Sequence, residues 1–311
     1  MNAASRFFDL STRTKLRVTG ADRVRFLNGQ TTNDVRKASS DATQESCVLN
    51  SKGRLHAHIF LFAVPNEIWI DADAELREQL QGRLERYIIA DEVLVEDASE
   101  GFAFFHVLAE LKPEGVEAKF CVRSRRLGRD GWDLWVESVA AKEATNALAA
   151  IYHPADENEW ERLRIENGIP RWGHELTPDI IPPEANLAER AIDYEKGCYI
   201  GQEVISRMKM SGQVRQRLCG LVSENGLYSG MELRVEEKVV GRVTSAVFSS
   251  RTNSNIGLAM IKRGYNDIGT SLVASNETAQ TNVRVVALPV KGRSPAPSGD
   301  AEGCSEVALP A

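Results

Sequence analysis

The chain has 311 residues, 26% charged and 42% hydrophobic, with a formal net charge of −6 and a pI near 5.6. This is the composition of a soluble globular protein long enough for two or three modules, and it gives no global electrostatic drive toward nucleic acid or an anionic membrane. Its five cysteines, Cys47, Cys121, Cys198, Cys219 and Cys304, are scattered and form no C-x-x-C pair. That excludes a disulfide framework or a zinc ribbon and points to a reducing compartment. The longest apolar run, residues 59–65, is too short to span a bilayer, and the N-terminus has neither a signal-peptide core nor an Arg-rich transit pattern. The expected location is therefore cytoplasmic.

In chain order, residues 15–19 read as a strand, and Asp22 is placed to cap a short helix that turns Val24, Phe26 and Leu27 inward. The helix runs into Asn28-Gly29-Gln30-Thr31-Thr32-Asn33-Asp34, a crowd of polar groups suited to a hydrogen-bonded turn or to a site. Residues 44–49 and 54–64 are strands joined by a turn ending in Gly53. The second is apolar on both faces at Ile59 to Phe62, as a central strand is, and carries His56 and His58 on one side. With no third ligand nearby, these histidines suit a core or cleft position better than a metal. A strand at 68–71 precedes a helix from 74 to 89 with Leu76, Leu80, Leu84 and Ile88 on one stripe. Strand patterns return at 92–96, 102–109, 118–123 and 132–137, followed by an Ala-rich helix at 140–151. Hairpins interleaved with helices, without strict βαβ alternation, define an α+β body with antiparallel sheets.

Asp156 and Glu159 form a capping-box pattern opening a helix that Gly168 and Pro170 end. A proline-rich passage, 176–187, leads to Lys196-Gly197-Cys198-Tyr199-Ile200-Gly201-Gln202-Glu203, just before a short helix. Its glycines permit positive φ and a tight loop with Cys198 at the tip. Helix N–H groups and the Lys196 charge would favour a thiolate there; the alternative is a buried, inert cysteine in a turn. Arg207, Arg215 and Arg217 either bind an anion such as a polyglutamate tail or lie on the solvent side of a strand. From 214 to 290, short strands with Gly or Asn turns describe a small β-barrel, and residues 291–311 read as a disordered tail. The chain has no P-loop, G-x-G-x-x-G, G-x-S-x-G or H-E-x-x-H pattern, and no cysteine set that would hold an iron–sulfur cluster alone.

The 196–203 segment resembles the K-G-C-[FY]-x-G-Q-E signature of YgfZ-type folate-binding proteins of iron–sulfur cluster assembly, relatives of the aminomethyltransferase (T-protein) of glycine cleavage. Residues 26–34 are similar to that family's F-L-x-G-Q-x-T-x-D, 162–168 to the R-x-x-x-E-x-G helix of the superfamily, and 182–187 to its P-x-E-A-x-L. The resemblance covers about residues 15–290. It implies a three-module body around a central cavity. A discontinuous first module (1–45 with 155–212), a second at 46–154, a C-terminal barrel at 213–290 and the tail at 291–311 are expected. It implies tetrahydrofolate as cofactor, and iron–sulfur assembly proteins or client iron–sulfur enzymes as partners. Glu166 would orient the pterin, and Lys196 would neutralise a folate carboxylate or lower the Cys198 pKa. Gly197, Tyr199, Gly201, Gln202, Glu203, Arg207, Asn28, Gln30 and Asp34 would complete the site, with Cys198 as the reactive group. Aminomethyltransferases carry an acidic pair in the strand after a glycine turn, and Gly53-Arg54-Leu55-His56-Ala57-His58 has none, which argues against T-protein chemistry. A folate-dependent aminomethyltransferase, a demethylase module of the sarcosine or dimethylglycine type, and an interaction protein with a decayed folate pocket are the rival readings.

Overall fold

The computed structural model describes residues 5–291. Its strands are β1 (Arg6–Asp9), β2 (Thr14–Thr19), β3 (Gln44–Leu49), β4 (Leu55–Val64), β5 (Glu67–Ala72), β6 (Leu94–Asp97), β7 (Phe102–Leu108), β8 (Phe120–Ser124), β9 (Gly131–Glu137) and β10 (His153–Pro154). Six more follow: β11 (Gln216–Ser223), β12 (Glu232–Val235), β13 (Lys238–Ser249), β14 (Ser254–Lys262), β15 (Ser271–Ser275) and β16 (Gln280–Val286). The helices are α1 (Arg23–Gln30), α2 (Arg77–Glu85), α3 (Ala141–Ile151), α4 (Glu157–Asn167), α5 (Ala188–Ala191) and α6 (Gln202–Ser211). No helix among the described residues is long and apolar enough to cross a membrane.

These form two five-stranded sheets, β3-β4-β5-β2-β6 and β10-β1-β7-β9-β8, and a closed barrel, β11-β14-β13-β12-β15-β16. The expected α+β architecture with a C-terminal barrel is therefore present. β4 lies inside its sheet, paired on both edges, as its two-faced apolarity requires. Leu55, Ala57, Ile59 and Leu61 of β4 join the core under the helices, with Leu76, Leu80 and Leu84 supplying the α2 stripe. Phe62 on the opposite face meets Trp69, Phe102, Phe104 and Trp135, so the two sheets pack face to face through an aromatic layer. The rings meet mostly edge to face, the favourable arrangement for their quadrupoles.

The strand grouping bears on module boundaries. A joint at 45/46 falls inside β3, whose sheet draws strands from 14 to 97; the other sheet combines β1 with residues 102–154. The reason is that β1 pairs with β7 and β10, whereas β2, only a few residues on, inserts between β5 and β6. The expected tail lies outside the described residues except for Lys291, as does Cys304.

Local signals behave largely as their chemistry dictates. Asp156 caps α4 by accepting from the Glu159 amide at 2.9 Å, and Gly168 ends it in the left-handed region. Asp22 is the exception: its carboxylate makes no cap bond to α1 and instead accepts from the Glu92 amide at 2.9 Å, holding the entry to β6.

At the sheet interface lies a fully buried ion cluster. Arg126, in the β8–β9 turn, donates through Nε to Asp133 of β9 and through NH1 and NH2 to Asp71 of β5, and Asp133 is also 2.7 Å from Nδ1 of His106 on β7. The guanidinium lies 4.2 Å from the Phe60 ring centre and 4.8 Å from that of Phe104. Burial alone would push the Asp133 carboxyl up, but Arg126 and His106 outweigh it and hold its pKa at about 2. Because that value lies below the unfolded one, Asp133 contributes stability above about pH 4 that is lost as pH falls toward 2. Replacing Arg126 by Met would leave buried Asp133 with His106 as its remaining partner and Asp71 with Arg13, and is expected to cost about 3–5 kcal/mol. Urea unfolding at neutral pH measures this as a lower midpoint at unchanged slope; a change under about 1 kcal/mol would refute the role given to Arg126.

Candidate functional site

The two polar motifs of the sequence, 28–34 and 196–203, meet in space. The Lys196 ammonium, 5% exposed, donates to the backbone carbonyls of Asn28, Thr31 and Asn33 at 2.8, 2.7 and 2.7 Å. Three donors are thus matched to three acceptors where α1 ends. Burial pushes the Lys196 pKa down to about 8, with Asp34 and Asp193 opposing the fall. Thr32 Oγ1 donates to the Ala191 carbonyl, Asn33 to that of Arg190, and the amides of Asp193 and Ile200 bond to the carbonyls of Thr32 and Gly29. Asn28 accepts from the Val35 amide, and Gln30 from Arg83. Asp34 holds Arg36, whose hydrogen bond keeps the carboxyl below its ordinary range.

Next to this knot, Gly201 takes φ +87° as α6 begins, and a Cβ there would lie 2.6 Å from the Asn50 carbonyl oxygen. The β3–β4 turn therefore packs directly against the loop, and Gly53 in turn faces Val204. Gln202 returns its side-chain oxygen to the Tyr199 amide at 3.3 Å, and buried Tyr199 places its ring 5.1 Å from the Lys196 nitrogen. Gly197, Cys198, Glu203 and Arg207 are exposed. Among the cysteines, burial pushes the thiols of Cys47 and Cys219 up, the latter to about 11, whereas Cys198 is on the surface.

A wall of aromatic and charged groups lies elsewhere. A cavity of about 380 Å³ opens between β1, β4, the 73–75 turn, Arg126 and the α4 region, walled by Phe8, Phe60, Trp160, His58, Arg13 and Arg171. Its cations are held by carboxylates: Arg13 by Asp71 and Asp73, Arg171 by Glu161 and Glu157. Arg164, on the same wall, pairs with Glu161 and with fully buried Glu175, and both Arg164 and Glu175 bond to Ser245 of the barrel. Trp160 stacks edge-on against Phe8 and His106.

None of the residues that the family resemblance assigns to the folate and Cys198 site lines this cavity. Glu166 turns the other way: its carboxylate accepts from Ser249 at 2.6 Å and faces Arg251 and Arg162, joining α4 to the barrel. The Lys196 ammonium gives its three hydrogens to backbone carbonyls of residues 28–33. His58, expected at a cleft or core position, is on this wall, as are Asp156 and Pro170, which bracket α4 as its start and stop signals. Arg126, Trp160 and Arg13 carried no local signal, because each is isolated in sequence and assembled only by the fold.

The two-sheet body with a six-stranded barrel docked on α4 is a T-protein-like fold. Residues 216–291 match the family of the glycine cleavage T-protein C-terminal barrel domain. The chain is similar to the aminomethyltransferase of Thermoanaerobacter pseudethanolicus, at 26% identity over 87% of this chain and 82% of that protein. It is also similar to those of Halalkalibacterium halodurans (26%, 91% and 85%) and Desulfitobacterium hafniense (28%, 85% and 80%). The glycine cleavage system aminomethyltransferase T from Bartonella henselae shares the fold, with a TM-score of 0.82 at 19% identity over 94% of this chain and 88% of that one.

The geometry separates structural from accessible residues in the K-G-C-Y-I-G-Q-E loop. Cys198→Ser is expected to shift stability by no more than about 0.5 kcal/mol, whereas Lys196→Met, which strips three carbonyls of their donor, is expected to cost about 2–4 kcal/mol. Thermal or urea unfolding of both variants checks this; equal losses would mean that Cys198 is itself a packing residue.

Proposed function

We propose that this protein binds tetrahydrofolate in the cavity between its sheets and acts, through the exposed Cys198 loop, in assembly or repair of iron–sulfur clusters in client enzymes. The observation that carries the folate reading is the cavity itself. Its volume falls in the range typical of small-molecule sites, roughly 300–1,000 Å³, and its wall offers groups matched to each part of a folate. Phe60 and Trp160 present rings to a flat aromatic ligand. Glu75 offers a carboxylate to the N–H edge of a pterin, and Arg13 and Arg171, already paired with carboxylates, keep further N–H groups for a glutamyl carboxylate. Bound tetrahydrofolate supplies a carrier for one-carbon units. The chain's own residues would hold it, shield it and set its protonation.

The iron–sulfur part of the reading rests on the likeness of the 196–203 segment to the YgfZ-type signature. Cys198 is exposed and off the cavity wall, which suits action on a partner rather than on the bound folate. A second reading, transfer of an aminomethyl group as in glycine cleavage, is favoured by the names of the similar proteins. Against it stands the strand 53–58, which offers two histidines where that chemistry needs a carboxylate.

Calorimetric titration with tetrahydrofolate and 5-formyltetrahydrofolate is the direct test. Micromolar binding is expected, weakened about tenfold, the equivalent of ~1.4 kcal/mol, by Trp160→Ala. No heat with either folate would remove the folate reading and leave an interaction protein with a decayed pocket. Turnover of an aminomethylated lipoyl protein in the presence of tetrahydrofolate would establish the second reading instead.

A further inference from the structure

One residue of the cavity wall, His58, has a carboxylate partner outside the Arg126 hydrogen-bond cluster and the sequence motifs. His58 of β4 lines the cavity at 5% exposure, and its Nε2 lies 2.6 Å from Oε1 of Glu45 on β3. Cys47 is the strand partner of His58, so Glu45 is its diagonal neighbour on the same sheet face. The second Glu45 oxygen lies 3.3 Å from Nε of Arg190 on α5. Burial would favour the neutral acid, but Arg190, His58 and Arg126 outweigh it and keep Glu45 below its ordinary range, hence ionised.

An ionised carboxylate only accepts, so the hydrogen in this contact belongs to His58 Nε2. In the neutral ring the Nδ1 lone pair is then free to accept. Phe60 meets the imidazole edge to face, with centroids 5.2 Å apart, and limits its rotation. The guanidinium groups on the same wall, Arg13, Arg126 and Arg164, are occupied by carboxylates and can only donate. His58 thus brings to the wall a ring whose tautomer, when it carries one proton, is set by Glu45.

We propose that His58, positioned by Glu45, is the group that accepts a proton from a ligand N–H in this cavity. The inference rests on the folate reading, since a reduced pterin presents several N–H donors. In the transfer, the ligand N–H bond breaks and its electron pair stays on the ligand nitrogen. The proton forms a bond to Nδ1, and the resulting imidazolium is balanced by the Glu45 carboxylate; the reverse step returns the proton. This places a base on the strand that lacks the acidic pair, two residues beyond His56.

The test is long-range ¹⁵N–¹H NMR of the histidine rings in the full chain, free and saturated with 5-formyltetrahydrofolate, with calorimetry on the same samples. His58→Gln assigns the signals, keeps an N–H donor for Glu45 and removes the Nδ1 acceptor. The expected result is an Nε2–H tautomer in the free protein, an Nδ1 resonance that moves on saturation, loss of the tautomer preference in Glu45→Gln, and about tenfold weaker binding by His58→Gln. An Nδ1–H tautomer, or an unmoved Nδ1 signal in protein that calorimetry shows to be saturated, would overturn the proposal while leaving folate binding intact. Absence of any binding heat would overturn both.

Discussion

The buried guanidinium of Arg126 is the constraint on which the arrangement of the body depends. It sits between two carboxylates that belong to different sheets, Asp71 on β5 and Asp133 on β9, and its charge offsets the burial that would otherwise push the Asp133 carboxyl up. Aromatic packing between the sheets is favourable over a range of offsets, because rings tolerate tilt and slide. A guanidinium bonded on both sides does not, since its donors are fixed in a plane. The ion cluster therefore sets the position of one sheet over the other. The cavity, whose wall includes Arg126 and the Phe60 ring that it overlies, inherits its shape from that setting.

A second buried pair ties the remaining module. Arg164 and Glu175 bond to each other and to Ser245 of β13, and Glu166, two residues further along α4, bonds to Ser249 of the same strand. α4 thus presents successive polar groups to the barrel while its N-terminal half, at Trp160, faces the cavity. One helix serves as wall and as joint, which couples the pocket to the barrel position without a linker.

The fold was legible in the sequence because its signals are local and periodic. The α2 stripe of leucines, the Asp156 cap and Gly168 stop of α4, and the two-faced apolarity of β4 each reflect a physical requirement satisfied within one element. Asp22 was misassigned because a carboxylate near a helix start has other donors to choose from once β6 is placed beside it. The site was far less legible. Its wall combines residues from positions 8 to 171, each alone in its segment, and a charged residue such as Arg126 looks like any surface arginine until two strands bring their aspartates to it. The dense polar motifs were legible as motifs, and their density reflects something other than ligand contact: a chain reversal buried under another loop must satisfy its own carbonyls.

That last point separates the parts of the 196–203 loop by chemistry. Lys196 gives all three of its hydrogens to backbone carbonyls, and Gly201 lies against the Asn50 carbonyl with no room for a Cβ. Gln202 closes on the Tyr199 amide. Every one of these interactions fixes backbone, and together they leave Gly197 and Cys198 on the outside. A loop anchored so heavily for a cysteine that contributes no burial is costly in conformational entropy unless the position of that thiol matters. Buried Cys47 and Cys219 need no such support, since packing alone places them. The chain accordingly places its polar groups on two faces: an internal cavity with His58 bonded to Glu45, and an exposed Cys198 on a loop held by carbonyl bonds.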